Sequence, residues 1–146
     1  MMERVLLAVD DSPDALAAAR LAVEMASTSH AQLRAVHVMA DHVLDFALER
    51  ASGQPASLRR DQSATAVLAR VTALANAANV DVQTELLAGD VGGAILDAAQ
   101  QWHADLVVIG RGARTARGAP YVGAQTRHVL EFADQPVLVV PPPHRG

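Results

Sequence analysis

Cysteine is absent from the 146-residue chain, and aromatic residues are scarce, with one Trp, one Tyr and two Phe. The first absence excludes a disulfide framework, a thiolate zinc site and a thiol nucleophile. The second leaves no ladder of rings on which single-stranded nucleic acid would stack. Positive charge is also short: the net charge is -4, which argues against a broad phosphate-backbone footprint, so no nucleic-acid partner is expected. No apolar run approaches the roughly 20 residues of a membrane span, and the run from Val5 to Val9 stops at Asp10, too short for a signal peptide. The expectation is a cytoplasmic protein without a membrane partner. What the chain does have is aliphatic: 51% of residues are hydrophobic and 19% charged, enough to build one core in a single domain over residues 1–146.

The apolar runs alternate with helical periodicities. Val5 to Val9 is uninterrupted, as suits a strand buried on both faces. Ser12 is placed to accept a hydrogen bond from a free helix amide, and Pro13 suits a first helical position. Leu16, Ala19, Val23 and Ala26 then recur at helical spacing up to Ser27-Thr28-Ser29. Gln32 to Val38 reads as a second strand, Met39 to Leu58 as a variable excursion broken by Gly53 and Pro55. From about Arg60, Val67, Val71, Leu74, Ala75 and Ala78 predict a second helix, and Val82 to Leu87 a third strand. Asp90 is the expected N-cap of a third helix carrying Ile95, Ala99 and Trp102 on one face. Leu106 to Ile109, closed by Gly110, is the clearest strand. A polar loop runs to about Val122, Gly123 to Ala133 reads as the last helix, and Val137 to Val140 as a fifth strand. Strands alternating with helices predict a doubly wound, Rossmann-like α/β fold with a parallel sheet covered on both faces.

In such sheets ligands bind beyond the carboxyl ends of the strands, where strand order reverses. Ala8, Asp10, His37, Val38 and Gly110 fall at those ends. Asp10 has two roles open to it: accepting hydrogen bonds from a ligand or holding its cation, or capping the first helix turn. The loop after the fourth strand carries Gly110, Gly112 and Gly118 with Arg111, Arg114 and Arg117. Glycines let backbone amides approach phosphate oxygens, and a helix starting at Gly123 presents its positive end to an anion. The arginines suit phosphate too, although at least one is expected to be simply solvated. The six histidines have no metal-site spacing, and neither a phosphate-binding Gly-x-x-x-x-Gly-Lys loop nor a nucleophile elbow is present. No catalytic residue is assigned and the metal is left unknown. His37 reads as a packed residue, Tyr121 as a loop anchor, and Val129, Leu130 and Ala133 as core.

Three segments taken together resemble the universal stress protein family: Val5 to Ser12, Ala104 to Gly110, and Gly123 through Arg127-His128-Val129-Leu130 to Pro141. The resemblance implies a five-stranded sheet ordered 3-2-1-4-5 and a homodimer pairing strands Val137 to Val140, an otherwise exposed apolar edge. The nucleotide-binding branch of the family carries Gly-x-x-Gly, nine residues, then Gly-Ser/Thr. Here the spacing is kept from Gly110 through Gly112-Ala113 to Gly123-Ala124, but Ala113 stands for a glycine and Ala124 for a hydroxyl. By resemblance, Ala8 and Asp10 lie beside a nucleotide, Val38 meets the adenine, and Gly110, Gly123 and the amides after Ala124, those of Gln125 and Thr126, face the phosphates.

Losing one hydrogen bond to a charged group costs roughly 1.5–3 kcal/mol, about one or two decades of affinity. Thr126 keeps a hydroxyl in the same helix turn, able to serve either a phosphate or the backbone, and Arg111 or Arg114 can compensate electrostatically. The expectation is a regulatory module with a degenerate cleft for ATP or another adenine nucleotide, with Mg²⁺. The alternative is a family member that binds no nucleotide and acts through its surface or dimer. Enzymatic activity is not expected beyond slow ATP hydrolysis.

Overall fold

Val5, Leu6 and Leu7 have no solvent exposure at all, and they form the centre of β1 (Arg4–Ala8), the middle strand of a five-stranded parallel sheet. The computed structural model describes residues 2–10, 12, 15–40, 56–112 and 122–143, without the side chains of residues 40 and 56–61. The elements follow as α1 (Ala15–Ser29), β2 (Gln32–Ala40), α2 (Ala56–Ala77), β3 (Val82–Gly89), α3 (Val91–Trp102), β4 (Leu106–Gly110), α4 (Ala124–Phe132) and β5 (Val137–Val140). The sheet order is β3-β2-β1-β4-β5, as the family resemblance implied. Strand order therefore reverses between β1 and β4, which pair with Ala8 opposite Ile109.

Side-chain alternation divides the core into two layers. Val5, Leu7, Leu33, Ala35 and Val108 face α1 and α2, while Leu6, Val36, Val107 and Ile109 face α3 and α4. The buried stripe of α1 is mostly alanine, with Ala15, Ala18, Ala19, Ala22 and Ala26 beside Val23. Such small side chains allow close approach to the sheet, and Leu16, expected in that stripe, is only half-buried. On α4 the expectation for Leu130 fails: it is 44% exposed. Thr126 and Val129 are the buried pair of this short helix, and Leu130 lies a further 100° around its axis.

Three helix-to-strand connections share one geometry. His30, Asn79 and His103 each take a left-handed conformation just past a helix. The next residue's amide then donates back into the helix: Ala31 to Ala26, Val80 to Ala75 and Ala104 to Ala99. This closes the last turn and buries a small apolar residue beyond it. At the start of β4, Asp105 Oδ2 accepts from the amides of Glu3 and Arg4 at 2.8 and 2.9 Å, tying the outset of β1 to β4. Those two donors hold the Asp105 carboxyl below its ordinary value of 3.8.

Several boundaries move. β2 and β3 each run two residues past their expected ends, because they pair with each other as far as Ala40 and Gly89. α2 starts four residues before Arg60. Among the described residues no helix amide donates to the Ser12 side chain: its carbonyl accepts from Ala15, and its hydroxyl donates to Asp10. Pro13, most of the expected excursion (residues 41–55), and the loop residues Ala113, Arg114, Arg117, Gly118 and Tyr121 lie outside the described residues. Among the described residues no helix is long and apolar enough to cross a membrane.

Candidate functional site

A cleft of about 310 Å³ opens beyond the carboxyl ends of β1, β2 and β4, at the low end of the ~300–1,000 Å³ usual for small-molecule sites. One wall is apolar: Ala8, Val36, Val38 and Ile109 come from the strands, and Val91 and Ile95 from the first turns of α3. The opposite end is built of backbone, with Gly110 and Gly112 from the end of β4 and Gly123, Ala124, Gln125 and Thr126 from the start of α4. Asp10 and Ser12 complete the rim.

Gly112 and Gly123 make the backbone end possible. Gly112 has φ +98°, and a Cβ there would lie 2.9 Å from both Cα and N of Gly123. The chain thus leaves β4 and returns to α4 through nearly the same point. Arg111 anchors the crossing on both sides: its amide donates to Val140 O and its carbonyl accepts from Gly123 N, each at 2.9 Å. Thr126, 4% exposed, donates its hydroxyl to Gly110 O at 2.8 Å, fastening the helix to the strand end.

Two helix N-termini border the cleft, and they differ. On α3 the amide of Gly93 donates to Asp90 Oδ2 and that of Gly92 to Gln125 Oε1, each at 2.9 Å. Its positive end is therefore consumed by a carboxylate and a carboxamide. The N-cap of α4 is Gly123, which makes no side-chain capping bond, so amides in its first turn have no cap from that residue. Among the described residues the positive end of α4 is the one left for an anion.

Asp10 is the one carboxylate among the described lining residues. Its Oδ1 accepts from the Ser12 amide at 2.9 Å and from the Ser12 hydroxyl, an Asx turn that steadies it at the rim without using Oδ2. Among the described residues no cluster of three His, Asp or Glu is built for a metal ion. His37 is 9% exposed, and its Nδ1 lies 2.9 Å from Val9 O. A carbonyl only accepts, so Nδ1 carries the proton there, and His37 packs as the sequence suggested.

Of the residues singled out from sequence, Ala8, Asp10, Val38, Gly110, Gly112, Gly123, Ala124, Gln125 and Thr126 all line this hollow. Arg111 does not line it, and its backbone is spent on the crossing; Ala113 and Arg114 fall outside the described residues. Sequence reasoning missed Val9, Ser12, Val36, Ile109 and above all Val91 and Ile95. Val91 and Ile95 are four apart at the start of a helix flanked by the small Gly92-Gly93, a signal that reads equally well as core.

Comparison with known proteins agrees with the fold. The family model described as universal stress protein family matches residues 1–141. The chain is 36% identical over 140 residues to a Thermus aquaticus protein named universal stress protein in QAH/OAS sulfhydrylase 3′ region, covering 96% of this chain and 99% of that one. Universal stress protein UspA from Lactobacillus plantarum superposes with a TM-score of 0.73 at 29% identity, over 94% of this chain and 97% of that one. A universal stress protein from Archaeoglobus fulgidus, solved in complex with dAMP, has the same fold, with a TM-score of 0.69 at 20% identity and 96% and 98% of the two chains covered. Matched from β1 through β5, the chain belongs to the universal stress protein family.

Proposed function

We propose that the cleft binds an adenine nucleotide and that its occupancy is the input of a regulatory module. One observation carries this proposal: a single hollow joins an apolar slot, walled by Val36, Val38 and Ile95, to an α4 N-terminus whose N-cap, Gly123, makes no side-chain capping bond. A flat aromatic base suits the slot, and an anionic phosphate suits the exposed amides. The dAMP complex of the Archaeoglobus relative supports the same ligand class. Ala8 lies in the wall beside the base, Asp10 Oδ2 is placed to accept from a ribose hydroxyl or hold a phosphate-bound Mg²⁺, and the amides of Gln125 and Thr126 meet phosphate oxygens. Ala124 supplies no hydroxyl, so affinity is set lower than a Ser or Thr there would give.

The output proposed is a change in dimer shape or loop order sensed by a partner. The carbonyls of Pro136, just before β5, and of Val140, at its end, accept from the amides of Val107 in β4 and of Arg111 just after it. In a parallel ladder the alternate residues, Val137 and Val139, then direct their backbone groups to the open edge. A second copy pairing there would form the homodimer and cover the apolar edge. The second reading, a surface-acting protein with no nucleotide, is favoured by Ala113 and Ala124, which stand where the motif has a glycine and a hydroxyl. Calorimetric titration with ATP and Mg²⁺ decides between them. Binding in the wild type, weakened roughly ten-fold or more in Asp10→Ala, is expected; no heat at millimolar ATP would leave the surface-acting reading.

A further inference from the structure

Gln125 stands where the two helix N-termini meet. Its Oε1 lies 2.9 Å from the backbone amide of Gly92, and a backbone amide can only donate. The carboxamide is therefore fixed in rotation, with its oxygen on α3 and its NH₂ group, two donors strong, as the free end. Among the described residues no acceptor takes either hydrogen. Gln125 also lines the cleft. Of its α4 neighbours there, Ala124 has no polar side-chain atom, and the hydroxyl proton of Thr126 is already given to Gly110 O. Among the described residues Gln125 is thus the only one of the three with a side-chain donor left.

We infer that the Gln125 carboxamide is the side-chain donor to the anionic end of the ligand, and that it makes the cleft select phosphorylated nucleosides over unphosphorylated ones. The inference rests on the nucleotide reading of the cleft. The same bond to Gly92 has a second effect. A Cβ on Gly92 would lie 3.2 Å from Gln125 Oε1 and 2.6 Å from His128 Cδ2, so α3 and α4 are at contact distance here. The bond to Gly92 holds the carboxamide of a residue that lines the cleft before any ligand arrives, which limits the ordering cost of binding.

The test measures ATP and adenosine on the wild type, Gln125→Met and Gln125→Glu, with adenosine read by displacement of bound ATP. Gln125→Met removes both donors and adds no charge. It is expected to weaken ATP roughly ten-fold or more and to leave adenosine unchanged. Gln125→Glu keeps an acceptor for Gly92 and places a negative charge at a helix N-terminus, so its melting temperature is expected to hold while ATP binding falls further. Equal loss of both ligands in Gln125→Met would mean a purely structural role, and loss of neither would mean no role; either overturns the inference while the nucleotide reading stands. A wild type that binds neither ligand would overturn both.

Discussion

Three glycines at or just past the strand ends separate two physical costs that are usually confounded. Among the described residues, alanine at Gly110 meets nothing within 4 Å and needs no unusual backbone; at Gly89 it meets nothing but inherits φ +121°; at Gly112 it inherits φ +98° and a Cβ 2.9 Å from the Gly123 backbone. Gly110→Ala is therefore expected to be neutral or to stabilise by up to about 1 kcal/mol, through a less flexible unfolded chain. Gly89→Ala carries conformational strain alone, about 1–3 kcal/mol. Gly112→Ala adds an overlap with main-chain atoms, worth a further ~1–3 kcal/mol, for a total of about 2–6 kcal/mol. Urea unfolding monitored at the single Trp102 and by circular dichroism measures all three. At about 2–4 °C per kcal/mol for a domain of this size, the order should also be visible in melting temperatures. Gly112→Ala as stable as Gly110→Ala would refute the close crossing of the β4 exit and the α4 entry, and with it the backbone end of the cleft.

Other perturbations follow from single contacts. Thr126→Val keeps the shape but leaves Gly110 O without its donor, and is expected to destabilise by about 1–3 kcal/mol in denaturant unfolding, whereas Thr126→Ser keeps the bond. The carboxyl of Asp105 is held below 3.8 by the Glu3 and Arg4 amides, so its contribution is fully present above that value and is lost as pH falls through the lower folded value. Asp105→Asn should then be less stable than wild type at neutral pH, with the gap in urea midpoints closing in acid; a gap independent of pH would contradict this. Val139→Pro removes an amide that points to the open edge of β5, where proline is tolerated within the subunit, and should convert a dimer to a monomer in sedimentation while the fold persists.

Much of the architecture was legible because the strands that define it are pure. β4 and β5 have the predicted extents, since Leu106–Ile109 and Val137–Val140 are runs in which every side chain is apolar and the ends are marked by Gly110 and by Pro136 and Pro141. The ends of β2 and β3 were not legible, because Met39-Ala40 and Ala88-Gly89 carry no periodic signal and are strand only through pairing with each other. Leu130 was misassigned because a helix of nine residues has room for one narrow buried stripe, and an adjacent leucine cannot be told from a core leucine by composition. The backbone end of the cleft could be read from the glycine spacing, because glycine marks close approach. Its apolar wall could not: Val91 and Ile95 look like any helix core, and only the position of α3 beyond the strand ends turns that face toward the cleft. The role of Gln125 depends on which atom of a carboxamide meets Gly92, and that exists only in three dimensions.

Amide chemical shifts followed by two-dimensional ¹H–¹⁵N NMR, as ATP and Mg²⁺ are added to the wild-type protein, address the cleft itself. The nucleotide reading predicts saturable shifts concentrated at Ala8, Val38, Gly110 and the amides of Gly123 through Thr126, with β3 and the outer face of α2 unmoved. Shifts absent at millimolar ATP, or clustered away from the N-terminus of α4, would contradict it.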